Sequence, residues 1–146
     1  MKTSLPNKQK GTAAIEFAAV FVIFFAVFYA MVSYSLPLLL MQSFNQATAE
    51  AVRSSVGLDP TMQGYSAAVI NTANTTVAAR LGWLPPAFNF NAATQVSSTI
   101  VNGVLKVQIN YPTANLQNVM PFIVLPGIGT VPQLPVTLQA QSSLQF

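Results

Sequence analysis

The sequence predicts an α+β fold: a long N-terminal helix that spans a membrane and then continues as an amphipathic half, a second helix, and a small antiparallel sheet of about three strands. Three observations carry this. Phe17 to Met41 is an uncharged apolar run of 25 residues, its only polar interruptions being Tyr29, Ser33, Tyr34 and Ser35. Apolar residues then recur at spacings of three and four between Met62 and Leu81. Beyond residue 95 the period drops to two, on both sides of an Asn102-Gly103 pair.

The first helix is set by length. At 1.5 Å per residue the apolar run covers roughly 37 Å, enough for a hydrocarbon core of about 30 Å with some tilt. Pro37 lies inside it; lacking an N–H, it removes the bond to the Ser33 carbonyl and predicts a kink near the outer face of the bilayer. Ala26 and Ala30 form a small-xxx-small pair, a weak signal for helix approach. The helical pattern continues through Phe44, Ala47, Ala51, Val52 and Ser55, with Glu50 and Arg53 as a surface pair and Gly57 as the C-cap.

Asp59-Pro60 reads as a helix start, Asp as N-cap and Pro at the first position. Met62, Tyr65, Val69, Ala73, Val77 and Leu81 form one stripe facing the first helix, and Gly82 stops it. Residues 83–91 are a loop with one Trp, two Phe and two Pro. Val96 to Val101, Asn102-Gly103 and Val104 to Tyr111 make a hairpin, because both turn residues tolerate the positive φ of a type I′ turn. Leu105, Val107, Ile109 and Tyr111 point one way, and Lys106, Gln108 and Asn110 the other. Residues 112–132 carry four prolines, a Pro126-Gly127 turn signal and the apolar patch Phe122 to Leu125, too short for a second span, so a loop packed over the sheet or against a neighbour is expected. The last strand runs from Val136 to the C-terminus, with Val136, Leu138, Ala140, Leu144 and Phe146 on its apolar face.

Composition narrows the function. Hydrophobic residues make up 52% and charged residues 6%, and the chain holds no His and no Cys. A Ser-His-Asp relay and a Cys-His pair are therefore ruled out, and so is a zinc site of the usual kind. Paired carboxylates could come only from Glu50 and Asp59, and Gly127-Ile128-Gly129-Thr130 lacks the lysine of a phosphate loop. The Asn74-Thr75-Thr76 sequon falls inside a predicted helix. No enzyme, cofactor or metal is expected. The net charge of +3 comes from Lys2, Lys8 and Lys10, while Arg53, Arg80 and Lys106 balance Glu16, Glu50 and Asp59, leaving no basic patch for nucleic acid.

Those three lysines precede the apolar run and predict a cytoplasmic N-terminus with an exported C-terminal part. Between them, Gly11-Thr12-Ala13-Ala14-Ile15-Glu16-Phe17 sets a lone carboxylate at the mouth of the run. Such a charge costs on the order of 2.5–3.5 kcal/mol at the bilayer centre, so it is normally paired or functional. Two plainer readings stand beside this one. A secretory signal could be cut at Ala47-Thr48-Ala49, though the apolar run is about twice the usual 7–15 residues. A simple anchor would leave Glu16 among the headgroups.

The Gly11 to Phe17 stretch resembles the class III signal of type IV pilin-like proteins, in the Flp and TadE-type branch, with Thr12 where that family often has Phe. Most of the chain also resembles the TadE-like pseudopilins in pattern, including a Val-x-Val-x-Tyr-like strand at Val107 to Tyr111, but only its first 40 or so residues carry a sharp motif. The resemblance implies cleavage between Gly11 and Thr12 by a prepilin peptidase, which removes residues 1–11 as a basic leader. Residues 12–41 would be the transmembrane and assembly helix, and residues 42–146 an extracytoplasmic pilin-like domain. It implies that Glu16 meets the N-terminal amine of a neighbouring subunit, with Phe17 beside it in the assembly. The implied partners are the peptidase, other pilins and pseudopilins, the inner-membrane assembly platform and membrane lipid. The implied role is a structural subunit or assembly factor of a bacterial type IVb (Flp/Tad) pilus supporting adhesion and biofilm formation, placed in the inner membrane with a periplasmic domain and entering the pilus. The alternative is a membrane-anchored extracytoplasmic binding module that does not polymerise.

Overall fold

In the computed structural model, which describes residues 9–145, one helix runs from the N-terminal side into the middle of the domain: α1 (Gln9–Ser55). The leader residues Lys2 and Lys8, and Phe146 at the other end, lie outside the described residues. The side chains of Ile15 to Val32 are mostly exposed. From Ser33 onward one face turns inward: Ser33, Pro37, Leu40, Phe44, Ala47, Thr48, Ala51, Val52 and Ser55 are buried, at the three-and-four spacing of a single helical stripe. Ala47, Ala51 and Ser55 are small, which lets other elements approach the helix axis closely. Pro37 does not end the helix, which continues through it.

The second helix starts later than the Asp59-Pro60 signal predicts. Asp59 accepts bonds from the backbone N–H and the hydroxyl of Thr61, at 2.9 and 2.7 Å, and so closes a separate turn. Those two donors hold its carboxyl below the usual carboxylate range. Gly64, at φ 76°, then breaks the chain direction, and α2 (Tyr65–Arg80) begins one residue on. Met62 is consequently exposed, while Val69, Ala73, Val77 and Leu81 are buried against α1 as the stripe requires. Gly57 was expected to cap α1, but α1 ends at Ser55 and Gly57 does not take a left-handed φ. Two polar contacts pin the pair of helices: Ser54 Oγ to Thr76 Oγ1 at 3.0 Å, and Ser55 Oγ donating to the Val69 carbonyl at 3.3 Å.

The main sheet has three antiparallel strands in the order β1 (Val96–Val101), β2 (Val104–Pro112), β5 (Thr137–Gln145). Asn102 and Gly103 take φ of 52° and 75°, the positive values of the expected hairpin turn. Leu105, Val107, Ile109 and Tyr111 of the central strand are wholly buried, facing the helices. Leu138 and Ala140 continue that face on β5. Val136 does not: it is 86% exposed and precedes the strand. Phe44 of α1 sits at the centre, its ring 5.9 Å from that of Phe90 and 5.5 Å from that of Tyr111. Thr48 and Ser142 share a bond of 3.1 Å further along the same interface.

Residues 83–95 add a 3-10 turn (Pro86–Phe88) and a one-turn helix, α3 (Ala92–Gln95), capped by the Asn91 side chain on Ala93 N–H. Residues 112–132 are more ordered than the loop the prolines predict. After a 3-10 segment (Thr113–Asn118), β3 (Ile123–Leu125) and β4 (Gly129–Val131) pair as a second, two-stranded sheet closed at Pro126-Gly127. The described strands therefore number five, in two sheets. This small hairpin lies beside α1, across a groove lined by Ile123, Leu125 and Val131 on one side and Phe21, Phe25 and Tyr29 on the other.

Candidate functional site

Gly11, Thr12, Glu16 and Phe17 all lie on α1, within its first turns, and all are exposed. Thr12 and Glu16 are one turn apart on the same face, separated by about 6 Å of rise. Among the described residues no side chain forms an ion pair with Glu16, and the resolved ion pairs involve only Glu50, Arg53 and Arg80. Glu16 is also the one charged residue between Gly11 and Ala49. The Gly11–Thr12 bond lies inside the helix, and a Cβ added at Gly11 would meet nothing within 4 Å.

Phe17 starts a ridge of aromatic rings. The centroids of Phe17 and Phe21 are 6.1 Å apart and those of Phe21 and Phe25 are 6.3 Å apart; Phe24 and Phe28 repeat the contact one face round, at 6.3 Å. Helical spacing of four produces this stacking. Twelve large apolar side chains between Ile15 and Val32 remain exposed. At the low end of about 1.5 kcal/mol for burying each one, covering them is worth on the order of 20 kcal/mol. Soluble monomers rarely expose a contiguous apolar surface of this extent. Among the described residues, α1 is the one helix long and apolar enough to cross a membrane, which supports a single-pass anchor.

The rest of the molecule positions this helix. Residues from Ser33 to Ser55 are part of the domain core, so the exposed segment is held at a set direction instead of hanging on a linker. Glu50 bonds Arg80 at 3.0 Å and lies 3.8 Å from Arg53, tying the far end of α1 to the end of α2. Sequence reading found the Arg53 pair but not Arg80, which is 30 positions away and reaches Glu50 only through the packing of the two helices. It marks Tyr29 and Tyr34 as interruptions of the apolar run but does not find their partners. The Tyr29 hydroxyl donates to the Pro121 carbonyl, and the Gln133 N–H donates to the Tyr34 hydroxyl at 2.9 Å. Two phenols inside an apolar span, each needing a partner, were the available signal.

Inside the domain, Tyr111 donates its hydroxyl to the Phe88 carbonyl at 2.7 Å, and burial pushes its pKa up to about 12. This is a structural phenol in the core. Among the described residues no group of three or more His, Cys, Asp or Glu side chains converges.

No curated protein and no solved structure matches the chain. A protein-family model does match, over the helix that carries Gly11, Glu16 and the exposed aromatic ridge and on into the domain core. Residues 11–53 of this chain match the model of a family described as TadE-like protein.

Proposed function

We propose that this chain is a pseudopilin-type structural subunit or assembly factor of a bacterial type IVb (Tad/Flp) pilus, serving adhesion and biofilm formation and carrying out no catalysis of its own. The observation that carries this reading is the exposed, uncharged stretch of α1 headed by one carboxylate, within a TadE-like segment. A prepilin peptidase cuts between Gly11 and Thr12, leaving about 135 residues with Thr12 at the front. Glu16 then takes the N-terminal amine of the next subunit as its partner. In a low-dielectric setting that pair is far stronger than in water, and an unpaired Glu16 would resist burial, so one residue fixes the axial register of a helix bundle. Residues 12–41 serve as span and assembly helix, and the domain lies on the exported side of the inner membrane. At that size the subunit suits a minor, priming or tip position rather than the shaft.

One observation favours a membrane-anchored module that does not polymerise: the β3–β4 hairpin already occupies one flank of α1 at Tyr29 and Tyr34, leaving less perimeter for neighbouring helices. Mass spectrometry of the N-terminus of the protein purified from its own membranes separates the two. A mature start at Thr12 supports the subunit, whereas an intact leader supports the plain anchor.

A further inference from the structure

The β3–β4 hairpin has the wrong chemistry for a surface that faces water. Ile123 and Leu125 point toward α1, where a groove of about 540 Å³ separates the hairpin from Phe21, Phe25 and Tyr29. On a hairpin covering a core, the opposite face should be polar. Here Val124, on that opposite face, is 72% exposed, and Ile128, at the turn and on the groove side, is still 64% exposed. No charged residue occurs anywhere between Val107 and Phe146.

Depth points the same way. If hydrocarbon begins at Phe17, Tyr29 and Tyr34 stand roughly 18 and 25 Å along the helix, short of the far edge of a core of about 30 Å. The chain at the base of the hairpin, Pro121 before it and Gln133 after it, is bonded to α1 at those two levels. Lipid demands that backbone polar groups find partners within the protein. Some of these groups at the turn are met within the protein: Ile128 N–H donates to the Leu125 carbonyl at 3.1 Å, and the Gln133 side-chain amide donates to the Ile128 carbonyl at 3.2 Å.

We propose that the β3–β4 hairpin is a second membrane contact, its apolar turn seated among the acyl chains against the flank of α1. The proposal rests on α1 being a membrane span. The occupant is lipid because the exposed apolar surface of the hairpin is continuous with that of a helix already suited to lipid, and because no charge interrupts the two. The hairpin thereby limits how far the domain can tilt from the membrane.

The test places single tryptophans in the full-length chain, with Trp83→Phe removing the one native Trp. Reporters are Ile128→Trp and Val124→Trp on the hairpin, Phe24→Trp in the span, and Val101→Trp beside the β1–β2 turn. That turn is membrane-distal, since Tyr111 packs on Phe44 whereas Ser142, the strand partner of Val107, meets Thr48 further along α1. Each variant is reconstituted in phosphatidylcholine vesicles whose acyl chains carry bromine, a contact quencher. The proposal requires Phe24→Trp and both hairpin reporters to lose emission while Val101→Trp keeps it. Quenching of Phe24→Trp with the hairpin reporters unaffected overturns the hairpin contact and leaves the span intact. Failure of Phe24→Trp to quench overturns both. Since the chain has no cysteine, Ile128→Cys tests the rival occupant. Disulfide-linked dimers in vesicles, together with unquenched hairpin reporters, would assign the surface to a second copy and refute lipid.

Discussion

Replacing Phe44 with alanine separates the two tasks of α1. Phe44 is wholly buried, and its ring contacts those of Phe90 and Tyr111, which come from the loop after α2 and from the central strand. Truncating a buried Phe costs about 3–5 kcal/mol through lost transfer energy and the cavity left behind. Two aromatic contacts, each worth about 0.5–1.5 kcal/mol beyond area, place this site toward the upper end. A small domain has only about 5–15 kcal/mol in total, so the variant loses a large share of its stability. Denaturant titration of the full-length chain in detergent micelles, followed by near-ultraviolet circular dichroism, should show the midpoint falling by an amount worth about 5 kcal/mol. Membrane insertion should be unchanged, because Phe17 to Val32 is untouched. A change within about 0.5 kcal/mol, the range of an ordinary surface substitution, would refute the claim that residues 33–55 form the domain core.

Gly11→Val should leave an unprocessed precursor inserted in the membrane, visible as a heavier band on an immunoblot; the added side chain meets no neighbour, so the effect would belong to the peptidase and not to the fold. Normal processing of that variant would place the cut elsewhere. Tyr111 ties stability to alkaline pH: its folded pKa is raised to about 12 from 10.0, so its contribution is whole below pH 10 and is lost as pH rises toward 12, at most about 3 kcal/mol. Tyr111→Phe should flatten that pH dependence while costing roughly 1 kcal/mol at neutral pH for the orphaned Phe88 carbonyl, and stability curves of the two proteins that fall equally between pH 10 and 12 would contradict the assignment. Arg80→Ala should shift the denaturation midpoint by less than about 1 kcal/mol, since both partners of the Glu50 pair are partly in water.

What the sequence disclosed tracks how local each signal is. The β1–β2 hairpin was legible because Asn102-Gly103 has few other uses between two alternating strands, and all four inward residues of β2 are buried. The helix from Phe17 to Ser55 was legible from its length and its stripe. Asp59-Pro60 misled because an Asp followed by Pro suits a lone turn as well as a helix start, and Gly64 five residues later decided between them. The β3–β4 hairpin was hidden because strands of three residues leave no period to read, although Pro126-Gly127 marked the turn. The contact of Glu50 with Arg80, made through tertiary packing, left no mark in local sequence, and Tyr29 within an apolar span signalled the need for a partner without identifying Pro121. Of the candidate site, the structure places Gly11, Thr12, Glu16 and Phe17 together near the start of one exposed helix; in the proposed assembly the amine that meets Glu16 would come from another subunit.

The central claim is that Glu16 binds a neighbour's N-terminal amine, and one substitution tests it. Glu16→Ala keeps Gly11, Thr12 and the whole apolar ridge, and it removes a charge from the edge of the span, so insertion should be unimpaired or improved. Losing one member of a buried charge pair costs about 3–5 kcal/mol, on the order of several hundred-fold in an association constant. The measurement is the amount of mature Glu16→Ala protein co-purifying with pilus components from cells. The account predicts normal cleavage and membrane insertion with near-complete loss from the assembled fraction. Recovery at wild-type levels, with adhesion unchanged, would contradict it.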